Sequence, residues 1–278
     1  MNGLRLLVRR VLPLSVAAAL AFFAFVVPGA ASAQAAAPTT VTPKTATSVC
    51  ANQTVPAGYI VTAVSSSSAC DGYLLYTIAL PSNGAKLCTV GVAVPYPYVI
   101  IAATTASQPQ CDNEYQTQTI TQVYNGVVAC FGGTLPTPYV ITNITTADSP
   151  ACSGQTMTLE QETPGITACQ LSIKWNNYVA TSDGTGGPCA GYGTEVLNPV
   201  HNGIVACGVG AGPSPSGYVI TEVWSSYGGC GQYEGLEYNT AVNGMTACSN
   251  STLPSGWSVT SYTTDSLCSP FEGEVLAS

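Results

Sequence analysis

Charge is what this sequence has least of. Only 7% of its 278 residues are Asp, Glu, Lys or Arg, and it has one histidine, His201. All three arginines, Arg5, Arg9 and Arg10, sit in the first ten residues, so the only later cations are Lys44, Lys86 and Lys174. Beyond residue 33 those three lysines face fourteen acids, a formal charge of −11. Three scattered lysines assemble no basic patch, which argues against nucleic acid and anionic membrane surfaces as partners. A Ser/His/Asp triad would rest wholly on His201. That residue precedes Asn202-Gly203 at a position where other copies of a repeated pattern carry Ser82, Tyr124 or Val242, so it reads as a turn flank. Cys-x-x-Cys knuckles are missing, which removes the usual zinc arrangement, and no signature for any cofactor is present. Beyond the leader, no window sustains a helical period.

What is present begins with an export signal. Arg5, Arg9 and Arg10 form a basic start, Val11 to Val27 is apolar, and Ala31-Ser-Ala33 offers small residues for cleavage. Residues 1–33 are thus expected to be a signal peptide and 34–46 a flexible Ala/Pro/Thr leader. No second apolar run is long enough to span a bilayer, so the mature chain is expected to be secreted, extracellular or periplasmic, with no membrane span.

The rest is a tandem repeat. Its recurring phrase is Tyr59-Ile-Val-Thr62, Tyr98-Val-Ile-Ile101, Tyr139-Val-Ile-Thr142, Tyr178-Val-Ala-Thr181, Tyr218-Val-Ile-Thr221 and Trp257-Ser-Val-Thr260. A turn-forming residue precedes each aromatic and mostly β-branched residues follow it, as in a strand leaving a turn. Six repeats are read, at residues 47–84, 85–126, 127–165, 166–203, 204–244 and 245–278. Two cysteines fall in each: Cys50 and Cys70, Cys88 and Cys111, Cys130 and Cys152, Cys169 and Cys189, Cys207 and Cys230, Cys248 and Cys268. An even count behind an export signal implies disulfides. Pairing within each copy uses all twelve. An offset scheme joining Cys70 to Cys88, Cys111 to Cys130 and so on, with Cys50 left to find Cys268, is equally compatible with the spacing.

Each unit reads as three strands: one ending in the first cysteine, the Tyr-Val-Ile-Thr strand, and one after the second cysteine. Asn83-Gly84, Asn125-Gly126, Asn202-Gly203 and Asn243-Gly244 predict hairpins joining the third strand of one unit to the first of the next; Pro164-Gly165 predicts a different turn. The fold class is therefore all-β, six tandem disulfide-stapled β modules of about 40 residues. An open array is the preferred arrangement. A closed six-fold ring, in which Thr47–Cys50 meets the C-terminal strand, and two trefoil-like triplets are the alternatives.

No repeated polar site emerges. The pairs Glu160 and Glu162, Glu234 and Glu237, and Glu272 and Glu274 could share strand faces but fall at different distances from the second cysteine. The aromatics just after that cysteine, Tyr73, Tyr115, Tyr192, Tyr233 and Phe271, are the candidate ligand-stacking residues, since repeated rings on a charge-poor surface can stack on sugars. The combination of Cys, Tyr-Val-Ile-Thr, Ser-rich loop, Cys and Asn-Gly resembles short tandem modules of secreted bacterial proteins of unassigned function, and the resemblance implies no activity. The expected function is a non-enzymatic structural or surface-interaction role, with another surface protein or a surface polysaccharide as partner. A carbohydrate-binding protein using the five aromatics is second, and an acidic glycoside hydrolase third.

Overall fold

A computed structural model describes residues 47–172, 174, 177–208 and 214–278. The expected signal peptide and leader lie outside the described residues. The described part belongs to the unit Thr40–Ser278.

Every repeat folds into its own three-stranded antiparallel sheet. The first strands are Thr47–Cys50, Lys86–Cys88, Val127–Cys130, Ile166–Cys169, Ile204–Cys207 and Thr246–Cys248. The second strands are Ile60–Ser66, Tyr98–Ala103, Tyr139–Ser149, Tyr178–Gly184, Tyr218–Trp224 and Ser258–Thr263. The third strands are Leu74–Ala79, Thr117–Gln122, Gly154–Gln161, Thr194–Pro199, Gly235–Thr240 and Gly273–Ala277. In all six sheets the third strand is central and the first and second flank it.

This order corrects the hairpin expectation. Both edges of a third strand are occupied within its own unit, so it has none to offer the following first strand. The Asn-Gly turns point forward instead. Asn83, Asn125, Asn202 and Asn243 each accept, through Oδ1, the backbone N–H at the end of the next third strand: Gln122, Gln161, Thr240 and Ser278, at 2.7–2.8 Å. Where Pro164 replaces asparagine the turn is unchanged, against expectation: Gly165 N donates to the Leu197 carbonyl at 2.8 Å and Ile166 N to the Thr163 carbonyl at 3.1 Å, as at the Asn-Gly sites, and Gly165 has their positive φ, a turn whose first central position accepts proline. Ring closure is also overturned: Thr47–Cys50 pairs with Leu74–Ala79, and Gly273–Ala277 is the middle of the last sheet.

The order also explains how units repeat. First and second strands run parallel, joined by a crossover, and the third returns between them. Each unit therefore starts and ends at the same side, and the next can follow by a simple displacement. A disulfide ties each crossover in place, joining the end of the first strand to the segment before the third.

The bridges join Cys50 to Cys70, Cys88 to Cys111, Cys130 to Cys152, Cys169 to Cys189, Cys207 to Cys230 and Cys248 to Cys268, over separations of 20–23 residues. No cysteine is free, so the pairing lies wholly within units and the offset scheme is overturned. The physical reason is the crossover: it returns the second cysteine to the end of its own first strand, with Cα atoms 5.1–5.6 Å apart, the spacing a bridge needs. Such a bridge contributes about 3 kcal/mol. The second cysteines also do more than staple their own unit. Cys111 and Cys189 are fully buried in apolar clusters shared with the preceding unit, beside Val64 and Ile144 respectively, whereas Cys152 is only half-buried at its joint.

The threonine of Tyr-Val-Ile-Thr is a bulge residue. In all six units the register slips just there, at Thr62, Ile101, Thr142, Thr181, Thr221 and Thr260. The hydroxyls of Thr62, Thr181 and Thr260 donate to carbonyls of the third strand, which suits threonine to the site. The two residues before the bulge point to opposite faces of the strand, and in units 1, 3, 4 and 5 both are buried, as in Ile60 and Val61 or Val140 and Ile141.

Three short strands make too little core alone, so the sheets stack. Val140 packs with Ala168 of the next unit, Val219 with Ala247, and Ile60 with Leu87. At the same joints the N–H groups of Val64, Ala103, Ile144 and Asp183 donate to the carbonyls of Gln110, Ala151, Pro188 and Gly229, which precede Cys111, Cys152, Cys189 and Cys230 of the next unit. Ser172 and Ser251 each exchange two hydrogen bonds with the preceding unit's second strand, at Ile141 and Ile220. In unit 6 the residue equivalent to Val140 and Val219 is Ser258, that strand is largely exposed and Tyr262 is 67% accessible.

Candidate functional site

The six sheets share one register, so equivalent side chains can be compared directly. Opposite each other on the second and third strands stand Val64 and Tyr76, Ala103 and Gln118, Ile144 and Met157, Asp183 and Glu195, Val223 and Leu236, and Tyr262 and Glu274. Unit 4 thus carries two carboxylates where units 3 and 5 place apolar core pairs. Five residues after the first cysteine it has Lys174, where units 1, 3 and 6 have Val55, Leu135 and Leu253 packed against apolar clusters. Directly after that cysteine it has Gln170.

These four residues form one constellation. Glu195 is 1% exposed, and Lys174 Nζ lies 3.1 Å from its Oε2. Its Oε1 has no hydrogen-bond partner. Burial holds the Glu195 carboxyl above the usual carboxylate range; Lys174 pulls it down and Asp183 pushes it up further. Gln170 Nε2 donates to Asp183 Oδ1. Asp183 is in turn tied to unit 5 by its backbone bond to Gly229.

Glycines make room for this polar pair. A Cβ on Gly193 would overlap the Gln170 amide, whereas the other units carry Leu74, Gln116, Gln155, Glu234 and Glu272 at that register. A Cβ on Gly231 would lie 3.2 Å from Asp183 Oδ2. Glycine is not demanded there by the backbone, because Asp71, Asp112, Ser153 and Ala190 adopt the same positive φ after their own cysteines. The result is a cavity of about 480 Å³ where units 4 and 5 meet, bordered by Gln170, Asp183, Thr185, Gln232 and Tyr233.

The five candidate aromatics are brought to different surroundings. Tyr73 is 52% exposed and Tyr192 39%, the latter stacked on Phe131 of unit 3 with centroids 6.2 Å apart. Tyr115 and Phe271 pack against the apolar clusters of their own neighbourhoods. Tyr233, half-buried, borders the cavity.

His201 is exposed, with Nδ1 3.1 Å from the Asn202 carbonyl, and borders a second, shallower recess with Tyr227 and Thr181. Of the glutamates singled out by strand position, Glu160 and Glu272 are exposed, Glu234, Glu237 and Glu274 are half-buried, and Glu162 is buried, and none of them borders either recess. Among the described residues, no group of three His, Cys, Asp or Glu side chains could hold a metal, and no helix is long and apolar enough to cross a membrane. Compared with protein-family models, curated proteins and solved structures, the chain matches none.

Gln170, Lys174, Asp183 and Glu195 were not picked out by motif or composition. Their signal lies in the repeat itself: Gln170, Lys174 and Asp183 depart from what sibling units place at the same distance from a cysteine or aromatic, and Glu195 departs from all but Glu274.

Proposed function

We propose that this is a secreted bacterial, non-enzymatic repeat protein with a structural or surface-interaction role. The observation that supports it most is the treatment of the facing carboxylates Asp183 and Glu195. Glu195 is sealed from the adjoining cavity and neutralised by Lys174. A glycosidase requires two carboxyl groups that both reach the scissile bond. Six disulfides indicate an oxidising environment, which agrees with export.

The test is to incubate oxidised protein with envelope fractions of the producing cell and with cell wall, chitin and cellulose, measuring both retention and released reducing sugar. Retention without hydrolysis is expected. Release of sugar by the wild type, lost in Glu195→Gln, would overturn the non-enzymatic reading. Carbohydrate binding is the second reading, favoured by exposed Tyr73 and by the Tyr192–Phe131 stack. It requires that a Tyr73→Ala/Tyr192→Ala variant lose polysaccharide retention while staying folded.

A further inference from the structure

The geometry points to a single binding site for a neutral sugar ring in the cavity between units 4 and 5, framed by Gln170, Asp183, Gln232 and Tyr233. It rests on reading the protein as a binding module, but does not depend on the exposed aromatics. The cavity volume of about 480 Å³ lies in the range of small-molecule pockets. Its walls offer a carboxylate and an amide side by side, a second amide, the Thr185 hydroxyl, and one aromatic side chain. A carboxylate beside an amide presents an acceptor and a donor together, which matches two neighbouring hydroxyls on a ring. The aromatic can cover the C–H face that such a ring also has.

The charge pattern selects the ligand class. Asp183 faces the cavity and, among the described residues, no cationic side chain borders it, so anions are repelled. The described residues also hold no ligand set for a metal. One Asp183 oxygen is already engaged by Gln170, and the remaining polar groups are amides, hydroxyls and backbone, the partners neutral hydroxyls need. The site is also built rather than incidental. Unit 4 lacks the apolar side chain that Val64, Ile144 and Val223 bury at the Asp183 position, and the large side chain that all other units carry at the Gly193 position. Each change removes packing and leaves space at the same joint.

Saturation-transfer NMR on the oxidised protein tests this with D-glucose, D-galactose, D-mannose and N-acetyl-D-glucosamine, each free and as soluble oligosaccharide, and with tetramethylammonium as a cationic probe. The expected result is transfer to ring protons of at least one sugar. Affinity should fall about tenfold or more in Asp183→Val, which installs the side chain of Val64 and Val223, and in Gly193→Gln, which installs that of Gln116 and Gln155. Tyr124→Ala, which removes an exposed ring of unit 2, should leave it unchanged, and near-ultraviolet circular dichroism should report a native fold throughout. Binding of no sugar, binding of tetramethylammonium alone, or sugar binding that survives both cavity variants overturns the proposal. Hydrolysis of a bound oligosaccharide would instead sink the non-enzymatic reading beneath it.

Discussion

Replacing Lys174 with leucine, the residue at the equivalent Leu135 and Leu253, would strip the partner from a carboxylate that has almost no contact with water. Removing one member of a buried ion pair costs about 3–5 kcal/mol, because the survivor stays desolvated and uncompensated. The Lys174 side chain is 26% exposed, so part of its pairing is already screened, and the lower end, about 3 kcal/mol, is expected at neutral pH. The glutamate can escape the penalty by taking up a proton. Its carboxyl is already raised in the folded state, so between the unfolded and folded values the native protein binds more protons than the unfolded chain. Stability of Lys174→Leu should therefore rise as pH falls through the folded value, and approach wild type once Glu195 is protonated in both states. Adding Glu195→Met, the residue at Met157, replaces the ion pair with two apolar side chains and should return stability at neutral pH to the wild-type level or raise it by about 1–4 kcal/mol. Guanidinium unfolding of the two variants and the wild type, disulfides intact, from pH 4 to pH 8 measures all of this. A pH-independent loss in Lys174→Leu, or a double variant no more stable than the single one, would refute the account of Glu195 as a paired buried charge.

The joints between units invite simpler tests. Val140→Ser puts at a buried joint the residue that unit 6 carries exposed at Ser258, burying a hydroxyl and losing two methyl groups; a loss of about 2–3 kcal/mol is expected in denaturant titration, whereas Ser258→Val should change stability by no more than about 0.5 kcal/mol. Asn202→Ala removes the acceptor of both the Thr240 amide and hydroxyl and should cost about 0.5–1.5 kcal/mol, with hydrogen exchange at the Thr240 amide accelerated. Opening the Cys207–Cys230 bridge with paired alanines should cost about 3 kcal/mol, read as a lowered unfolding midpoint under oxidising conditions.

Composition and periodicity were enough to determine an all-β fold of six stapled units, because β-branched runs, turn residues and paired cysteines act within about 40 residues of chain. The absence of arginine beyond the leader and of more than one histidine narrowed the chemistry for the same local reason. Cysteine pairing was legible only as a choice of two schemes, since spacing alone leaves Cys111 as near to Cys130 as to Cys88; the crossover decided it. Strand order was not legible. Asn-Gly between two strands is a hairpin signal whenever those strands have free edges, and only the folded sheet reveals that the third strand has both edges taken by its own unit. With that edge lost, Asn83 and its equivalents direct their side chains to the next unit, and closure into a ring has no strand to use. The polar constellation of unit 4 was written in the sequence but not readable from it. Gln170, Lys174, Asp183 and Glu195 are spread over about 25 positions, and the meaning of each depends on facing a core that its siblings fill with Val, Leu, Ile or Met. Burial and register, which arise when the sheets form and dock, turn four ordinary polar residues into a paired buried charge and the wall of a cavity.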